Sequence, residues 1–162
     1  LSSEEELYKK RKSNVAWIDE AWIYNLINPY IHTANRNSGW KFDLSWVEPY
    51  QFAHYKKGQF FGWHKDGVPL PADNTEHTQS LGNIRKISCS IQLSDPSKYK
   101  GGELEFDPRQ HDPDKIGSSF YLAPNKQGTI ICFPSFLWHR VKPITKGKRY
   151  SMSCWYWGKP FR

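Results

Sequence analysis

Apolar residues at helical spacing mark the first quarter of the chain. Ile18, Trp22, Ile23, Leu26, Ile27, Tyr30 and Ile31 recur at three- and four-residue intervals across residues 18–34, the pattern of an amphipathic helix lying on a sheet. Asp19 and Glu20 suit its first turn, and residues 35–39 end it. Before it, residues 3–12 are dominated by charge and predict a helical or frayed segment. From Phe42 onward the period changes to two. Short runs rich in aromatic and β-branched residues alternate with turn residues. Strands are predicted over residues 46–55, 59–64, 85–93, 103–106, 119–123, 128–133, 139–141 and 149–157. Pro49 argues for an edge or irregular start to the first. In residues 85–93, Ile87, Cys89, Ile91 and Leu93 share one face, and Lys86, Ser88, Ser90 and Gln92 share the other. Residues 94–102 read as a turn region. Two longer loops, 67–83 and 107–117, are rich in Pro, Asp, Asn and Gly, as functional lids or disordered loops are.

A helix followed by about eight short strands predicts a mostly β fold, a double-stranded β-helix (jelly roll) with N-terminal helical support. The 162 residues fit one domain, with 1–40 as support and 42–158 as the jelly-roll core. Eight Trp, nine Tyr and nine Phe supply much of the core volume. Cys89, Cys132 and Cys154 form no Cys-x-x-Cys pair, which excludes zinc-ribbon and thioredoxin motifs and suits reduced core thiols in a cytoplasmic, reducing compartment. No run is long and apolar enough to span a bilayer and no signal peptide is visible; the chain starts at Leu1 without Met. The net charge of +7 gathers at residues 9–12 and 142–149. A solvated surface is the preferred reading of it, ahead of an acidic or nucleic-acid partner.

The chemistry sits in the strands. His64 and Asp66 are separated by one residue, so on a strand both face one way. His139 lies on a late strand. Two imidazoles and one carboxylate make a facial set that leaves coordination positions open, as non-haem Fe(II) oxygen chemistry requires. His-x-Asp alone is common, and His32, His54, His77 and His111 show that histidine is not rare here. The signal is in the order: His-x-Asp, a loop, a middle strand, His139, then Arg149-Tyr-Ser151. Lys146-Gly147-Lys148 reads as a hairpin turn bringing Arg149 back beside His139. An arginine on an apolar, aromatic strand needs an anionic partner. Its planar fork grips a carboxylate with two hydrogen bonds, and Ser151 adds a donor.

These stretches resemble the 2-oxoglutarate and Fe(II)-dependent dioxygenases, in the prolyl 4-hydroxylase-like branch. The resemblance runs from Tyr55-Lys-Lys-Gly58-Gln-Phe-Phe-Gly-Trp-His64-Lys-Asp66, through the central strand from Lys86 and Gly101-Gly102-Glu103-Leu104, to Phe133-Pro134-Ser-Phe-Leu-Trp-His139 and Arg149-Tyr-Ser151-Met-Ser-Cys-Trp155. It implies Fe(II) on His64, Asp66 and His139, with 2-oxoglutarate on the iron and on Arg149 and Ser151. It further implies O2 as oxidant, ascorbate (vitamin C) as reductant, and succinate and carbon dioxide as coproducts. Tyr55 corresponds to a tyrosine lining the family's site. Gln92 stands where some relatives place a cosubstrate-binding tyrosine. Arg85 and Trp155 correspond to substrate-facing positions, and Trp63 is a further aromatic near the iron. The expected substrate is a prolyl residue in a peptide or protein, with another amino acid or small molecule as the alternative. Nucleic-acid dealkylation ranks lower, because those relatives carry another arginine six residues after the anchor, where this chain has Trp155. A cupin-like binding module would not need all four of His64, Asp66, His139 and Arg149.

Overall fold

The computed structural model describes residues 10–67, 71, 78–116 and 120–162. Among the described residues, thirteen strands form two facing sheets and a small ribbon. The strands are β1 (Arg11–Lys12), β2 (Asn14–Ile18), β3 (Trp46–Val47), β4 (Tyr50–Tyr55), β5 (Phe60–His64), β6 (Ile84–Gln92), β7 (Tyr99–Gly101), β8 (Leu104–Asp107), β9 (Tyr121–Leu122), β10 (Ile130–Pro134), β11 (Trp138–Val141), β12 (Ile144–Gly147) and β13 (Arg149–Gly158). The major sheet runs β10-β6-β13-β4-β2, with β3 beside β13; the minor sheet runs β1-β5-β11-β8-β9; β12 pairs β7. All pairings are antiparallel, and the architecture is the expected jelly roll.

The long helix α1 (Ala21–Asn37) covers the outer face of the major sheet. Ile23, Ile27 and Ile31 recur every four residues and pack on Ile87, Cys89, Ile91, Met152, Cys154 and Tyr156. Tyr156 Oη donates to Asn28 Oδ1 at 2.5 Å, which ties helix to sheet. Asn35 closes the helix by exchanging two hydrogen bonds with the Phe42 backbone, at 2.9 and 3.0 Å. The predicted apolar stripe is only half covered: Trp22, Leu26 and Tyr30 are exposed. They lie about 100° round the helix from the isoleucine row, beyond the reach of the sheet. Asp19 and Glu20 fall before the first turn; Glu20 is the N-cap residue, and Asp19 accepts from Tyr24 Oη. The cysteines are free: Cys89 and Cys154 are buried and Cys132 half-buried.

Several expectations are corrected. Arg11 and Lys12 form a strand rather than a helix, and residues 14–18 form another; residues 3–9 lie outside the described residues. The predicted strand 46–55 breaks at Glu48–Pro49, and its main part is internal, between β13 and β2. Proline sits at the break, where its missing N–H costs nothing. The turn region 94–102 contains β7. Most of the loop 67–83 lies outside the described residues, as does Gly117. The loop 107–117 includes a short helical turn, Pro113–Ile116. Lys146–Lys148 is not a hairpin tip. His139 lies in the minor sheet and Arg149 in the major, with β12 between them in sequence. The two therefore face one another across the sandwich instead of sharing a ladder.

The inner faces meet through Ala53, Tyr55, Tyr99, Leu104, Val141 and Ile144. Gly102 is essential to this closure. Its φ is +68°, and an added Cβ would come 2.3 Å from Ile144 Cδ1 and 3.0 Å from Arg149 Cδ. At Gly128, φ is +82° but nothing lies within 4 Å. Gly128→Ala is expected to cost about 1 kcal/mol from backbone strain alone. Gly102→Ala adds overpacking of about 1–3 kcal/mol. Chemical denaturation of both variants checks the ordering; equal losses would mean that Gly102 is needed for its dihedral only.

Candidate metal and cosubstrate site

The register of one strand pair creates the centre. His139 on β11 stands directly opposite His64 on β5. Two residues further along β11, Val141 opposes Phe61, so β5 carries one residue more than its partner over this stretch. Such a bulge re-aims side chains. It sets Phe61 on the same side as His64, their rings stacked with centroids 3.5 Å apart.

The strand ends at His64, so Asp66 is not oriented by strand alternation as the sequence suggested. The backbone N–H groups of Asp66 and Gly67 both donate to Ser135 O at 3.0 Å, and Arg85 Nη1 donates to Asp66 O at 3.1 Å. Gly67 must be small here, since a Cβ would sit 3.0 Å from Arg85 O and 3.2 Å from Ser135 Cβ. Held this way, Asp66 Oδ1 lies 3.4 Å from His64 Nε2, and Oδ2 lies 3.3 Å from His139 Nε2.

The imidazoles are oriented from behind. His64 Nδ1 lies 2.7 Å from Gly62 O, and His139 Nδ1 lies 2.9 Å from Leu137 O. A carbonyl only accepts, so each Nδ1 carries the proton. Each Nε2 then faces the carboxylate with a lone pair or a second proton. Burial opposes charge on all three groups. It lowers the His64 pKa, aided by His139 and opposed by Asp66. Burial also pulls His139 down, but Asp66 overrides it and the net shift is upward. Burial pushes Asp66 up, yet the two imidazoles hold its carboxyl well below the usual carboxylate range. Two imidazole nitrogens and an ionised carboxylate, their ligand atoms within 4.8 Å of one another, fit a divalent cation.

Across the cleft is Arg149, 1% exposed. Nη1 donates to Ser151 Oγ at 3.1 Å and Nη2 to Gln92 Oε1 at 3.0 Å; Tyr55 presents its ring 5.6 Å from the guanidinium carbon. Nε is buried without a partner. Burial lowers the Arg149 pKa, with Tyr55 and Tyr99 opposing, and a guanidinium stays cationic at neutral pH. Among the described residues no carboxylate reaches it. A fully buried cation with neutral partners and an orphaned donor matches an incoming carboxylate. The arrangement follows from register: Arg149 opposes Tyr55 on β4, and Ser151 opposes Gln92 on β6.

Other predicted residues divide. Trp155 lines the cleft, buried, with Nε1 unpartnered. Arg85 stacks over Trp155 at 4.6 Å and Trp157 at 5.6 Å, while Glu48 takes its Nε at 2.6 Å and Nη2 at 2.9 Å. It therefore braces the backbone of Asp66. Trp63 does not line the cleft; it packs beneath Arg140, whose carbon lies 4.7 Å from its ring. Strand alternation puts Trp63 on the face opposite His64. Residues the sequence did not single out are Tyr99, beside Arg149, Glu48, and Arg11 and Gln51 in the cleft wall. Arg11 had been assigned to a solvated basic run.

Residues 50–157 match the model of the 2OG-Fe(II) oxygenase superfamily. The chain is similar to a PKHD-type hydroxylase of Xylella fastidiosa strain M12, 33% identical over 112 residues, covering 66% of this chain and 43% of that protein. It is also similar to a PKHD-type hydroxylase of Cupriavidus metallidurans, 36% identical over 113 residues, with 68% and 42% covered. The chain thus spans less than half the length of these relatives. In fold it resembles a viral collagen prolyl hydroxylase from Paramecium bursaria Chlorella virus-1 solved as a 2OG complex, with TM-score 0.66, 20% identity, and 96% of this chain and 84% of that one covered. A Trichoplax adhaerens prolyl hydroxylase in complex with a peptide fragment of hypoxia inducible factor gives TM-score 0.63, 19% identity, and 90% and 63% covered. With the family model covering this much of its length, the chain belongs to the 2OG-Fe(II) oxygenase superfamily.

Proposed function

We propose that this chain is a 2-oxoglutarate- and Fe(II)-dependent dioxygenase that hydroxylates a prolyl residue of a peptide or protein, with 2-oxoglutarate converted to succinate. One observation carries the reading. A buried arginine without a carboxylate partner shares a cleft with a His-Asp-His cluster of metal-binding geometry. His64, Asp66 and His139 would hold the iron. When bound, iron supplies open positions for dioxygen and the 2-oxo acid, and the oxidising power for attack on a C–H bond. The protein's own residues position and exclude. Arg149 receives the distal carboxylate of 2-oxoglutarate, with Ser151 as a further donor. Gln92 and Tyr55 fix the guanidinium. Phe61 and Phe133 pack against His64 and His139 and keep bulk water from the ligand set.

The prolyl assignment rests on the kinship with PKHD-type hydroxylases and on the fold shared with prolyl hydroxylases. Tyr55 and Trp155 give the cleft aromatic walls that suit a pyrrolidine ring. A free amino acid or another small molecule is the second substrate class. Trp155, the sixth residue after Arg149, stands where nucleic-acid dealkylating relatives carry a further arginine, which ranks that reading lower. The reading takes residues 1–162 as one oxygenase domain, with ascorbate as reductant. Three free thiols suit a reducing, cytoplasmic setting. Among the described residues no helix is long and apolar enough to cross a membrane.

Succinate formation from 2-oxoglutarate, Fe(II) and ascorbate, with and without proline-containing peptides, tests this directly. The expected result is peptide-stimulated turnover and the mass gain of one oxygen on proline. Turnover that no peptide stimulates would remove the prolyl assignment. Asp66→Ala and His64→Ala should abolish succinate formation while the fold persists by circular dichroism; residual turnover at wild-type rate would strike that residue from the ligand set. Arg149→Ala should raise the half-saturating 2-oxoglutarate concentration roughly tens to several hundred-fold, the worth of a charge-assisted bidentate contact. An unchanged requirement refutes the anchor. Arg85→Met should weaken Fe(II) retention about tenfold, as loss of a residue that orients a ligand does; unaltered retention with weaker peptide binding would make Arg85 a substrate contact instead.

A further inference from the structure

Two arginines line the cleft, and the chemistry above uses one of them. The other, Arg11, lies on β1 at the edge of the minor sheet, opposite Phe61. After Ser13 the chain enters the major sheet as β2, beside β4. A single short segment thus bridges the two sheets along the side of the cleft. Its guanidinium donates from Nη2 to Gln51 Oε1 at 2.6 Å and from Nε to Ser13 Oγ at 2.8 Å, and lies 4.6 Å from the Phe61 ring centroid. All three partners are neutral. Among the described residues no carboxylate pairs with it, whereas Arg85 has Glu48 and Arg140 has Glu105.

Charge counting sharpens the point. A divalent ion, Asp66, a dicarboxylate cosubstrate and Arg149 balance to zero. The positive charge of Arg11 is left over, half-buried beside Phe61, where an unpaired cation is costly. Buried Trp155 Nε1, on the same cleft, also lacks an acceptor. Trp17, on the same bridging segment and half-exposed, sets its ring 6.2 Å from that of Trp155. A cation and an orphaned N–H flanked by aromatic rings call for a ligand with an apolar body and an anionic, acceptor-rich end.

We propose that Arg11 is a specificity-determining residue that binds a carboxylate of the primary substrate, so that the hydroxylated molecule is anionic close to its reacting carbon. This rests on the oxygenase reading above. The carboxylate has two possible sources, an acidic residue adjoining the target in a peptide or the α-carboxylate of a free amino acid.

Both are tested by binding, followed by tryptophan fluorescence, with Mn(II) in place of Fe(II) and saturating 2-oxoglutarate to occupy Arg149. The probes are blocked Gly-Glu-Pro-Gly against blocked Gly-Gln-Pro-Gly, and L-proline against L-prolinamide. In the wild type, one carboxylate ligand should outbind its amide partner about tenfold to a hundredfold, and the pair that shows it identifies the source. Arg11→Gln should reduce that ratio to about one, and Arg11→Lys, which keeps the charge without the fork, should retain part of it. The Lys variant also controls for misfolding of the Gln variant. Equal binding of acid and amide in both pairs by the wild type overturns the proposal. So does a preference that survives Arg11→Gln. Because the comparison needs no turnover, a wild type that selects the carboxylate but forms no succinate sinks the oxygenase reading and leaves Arg11 assigned.

Discussion

The site depends on one cross-strand pair. His64 and His139 oppose each other in the minor sheet, and this register sets both imidazoles on one side of it. Side chains alternate between faces along a strand, so a slip of one residue would send one imidazole to the far side. The register is pinned from both directions: the inner apolar residues Leu104 and Val141 oppose one another across β8 and β11, and the bulge on β5 absorbs the extra residue that would otherwise push His64 out of line. Asp66 is placed differently, beyond the strand end. Ser135 O and Arg85 fix its backbone instead.

The second half of the site hangs on the opposite sheet. Arg149 and Ser151 belong to β13, the central strand of the major sheet, and meet the histidines only because two sheets face each other across a shared core. That separation suits a chelating diacid, which needs a metal at one end and a cation at the other. It also explains Gly102. The chain must pass close over the Arg149 stem and Ile144, in a conformation that side chains resist.

Much of this was legible in the sequence because the signals were local. The period of two from Phe42 onward located most strands, and the alternation on β6 separated its apolar face from its polar one. Ile23, Ile27 and Ile31 announced α1. The His-x-Asp, His and Arg-x-Ser elements announced the centre. What escaped was set by distant pairing. β1 and β2 carry basic and mixed residues and are strands only because β5 and β4 offer them edges. The charge of residues 9–12 gave no hint that Arg11 turns into the cleft. Trp63 directly precedes His64 on β5, so strand alternation alone turns it to the other face, and only the inward turn of Phe61 needs the bulge, which leaves no mark in composition. The inferred hairpin at Lys146–Lys148 failed for a related reason. Gly147 has a positive φ because β12 runs tight against Lys98 and Tyr99, not because the chain reverses there.

The arginines near the cleft differ in burial and in pairing: Arg149 is buried, whereas Arg85 and Arg11 are half-buried. Burying an ion costs several kcal/mol unless it is paired, so each arginine near the cleft identifies what surrounds it. Arg85 is paired with Glu48 and enclosed by Trp155 and Trp157, and its Nη1 donates to the Asp66 backbone. Its charge is cancelled within the fold. Arg149 and Arg11 are incomplete: each has neutral oxygen acceptors that hold its direction without cancelling its charge. A neutral acceptor orients a guanidinium while leaving it free to attract an anion. Arg85, whose charge Glu48 cancels, therefore differs from Arg149 and Arg11, whose acceptors orient the guanidinium and leave its charge unpaired.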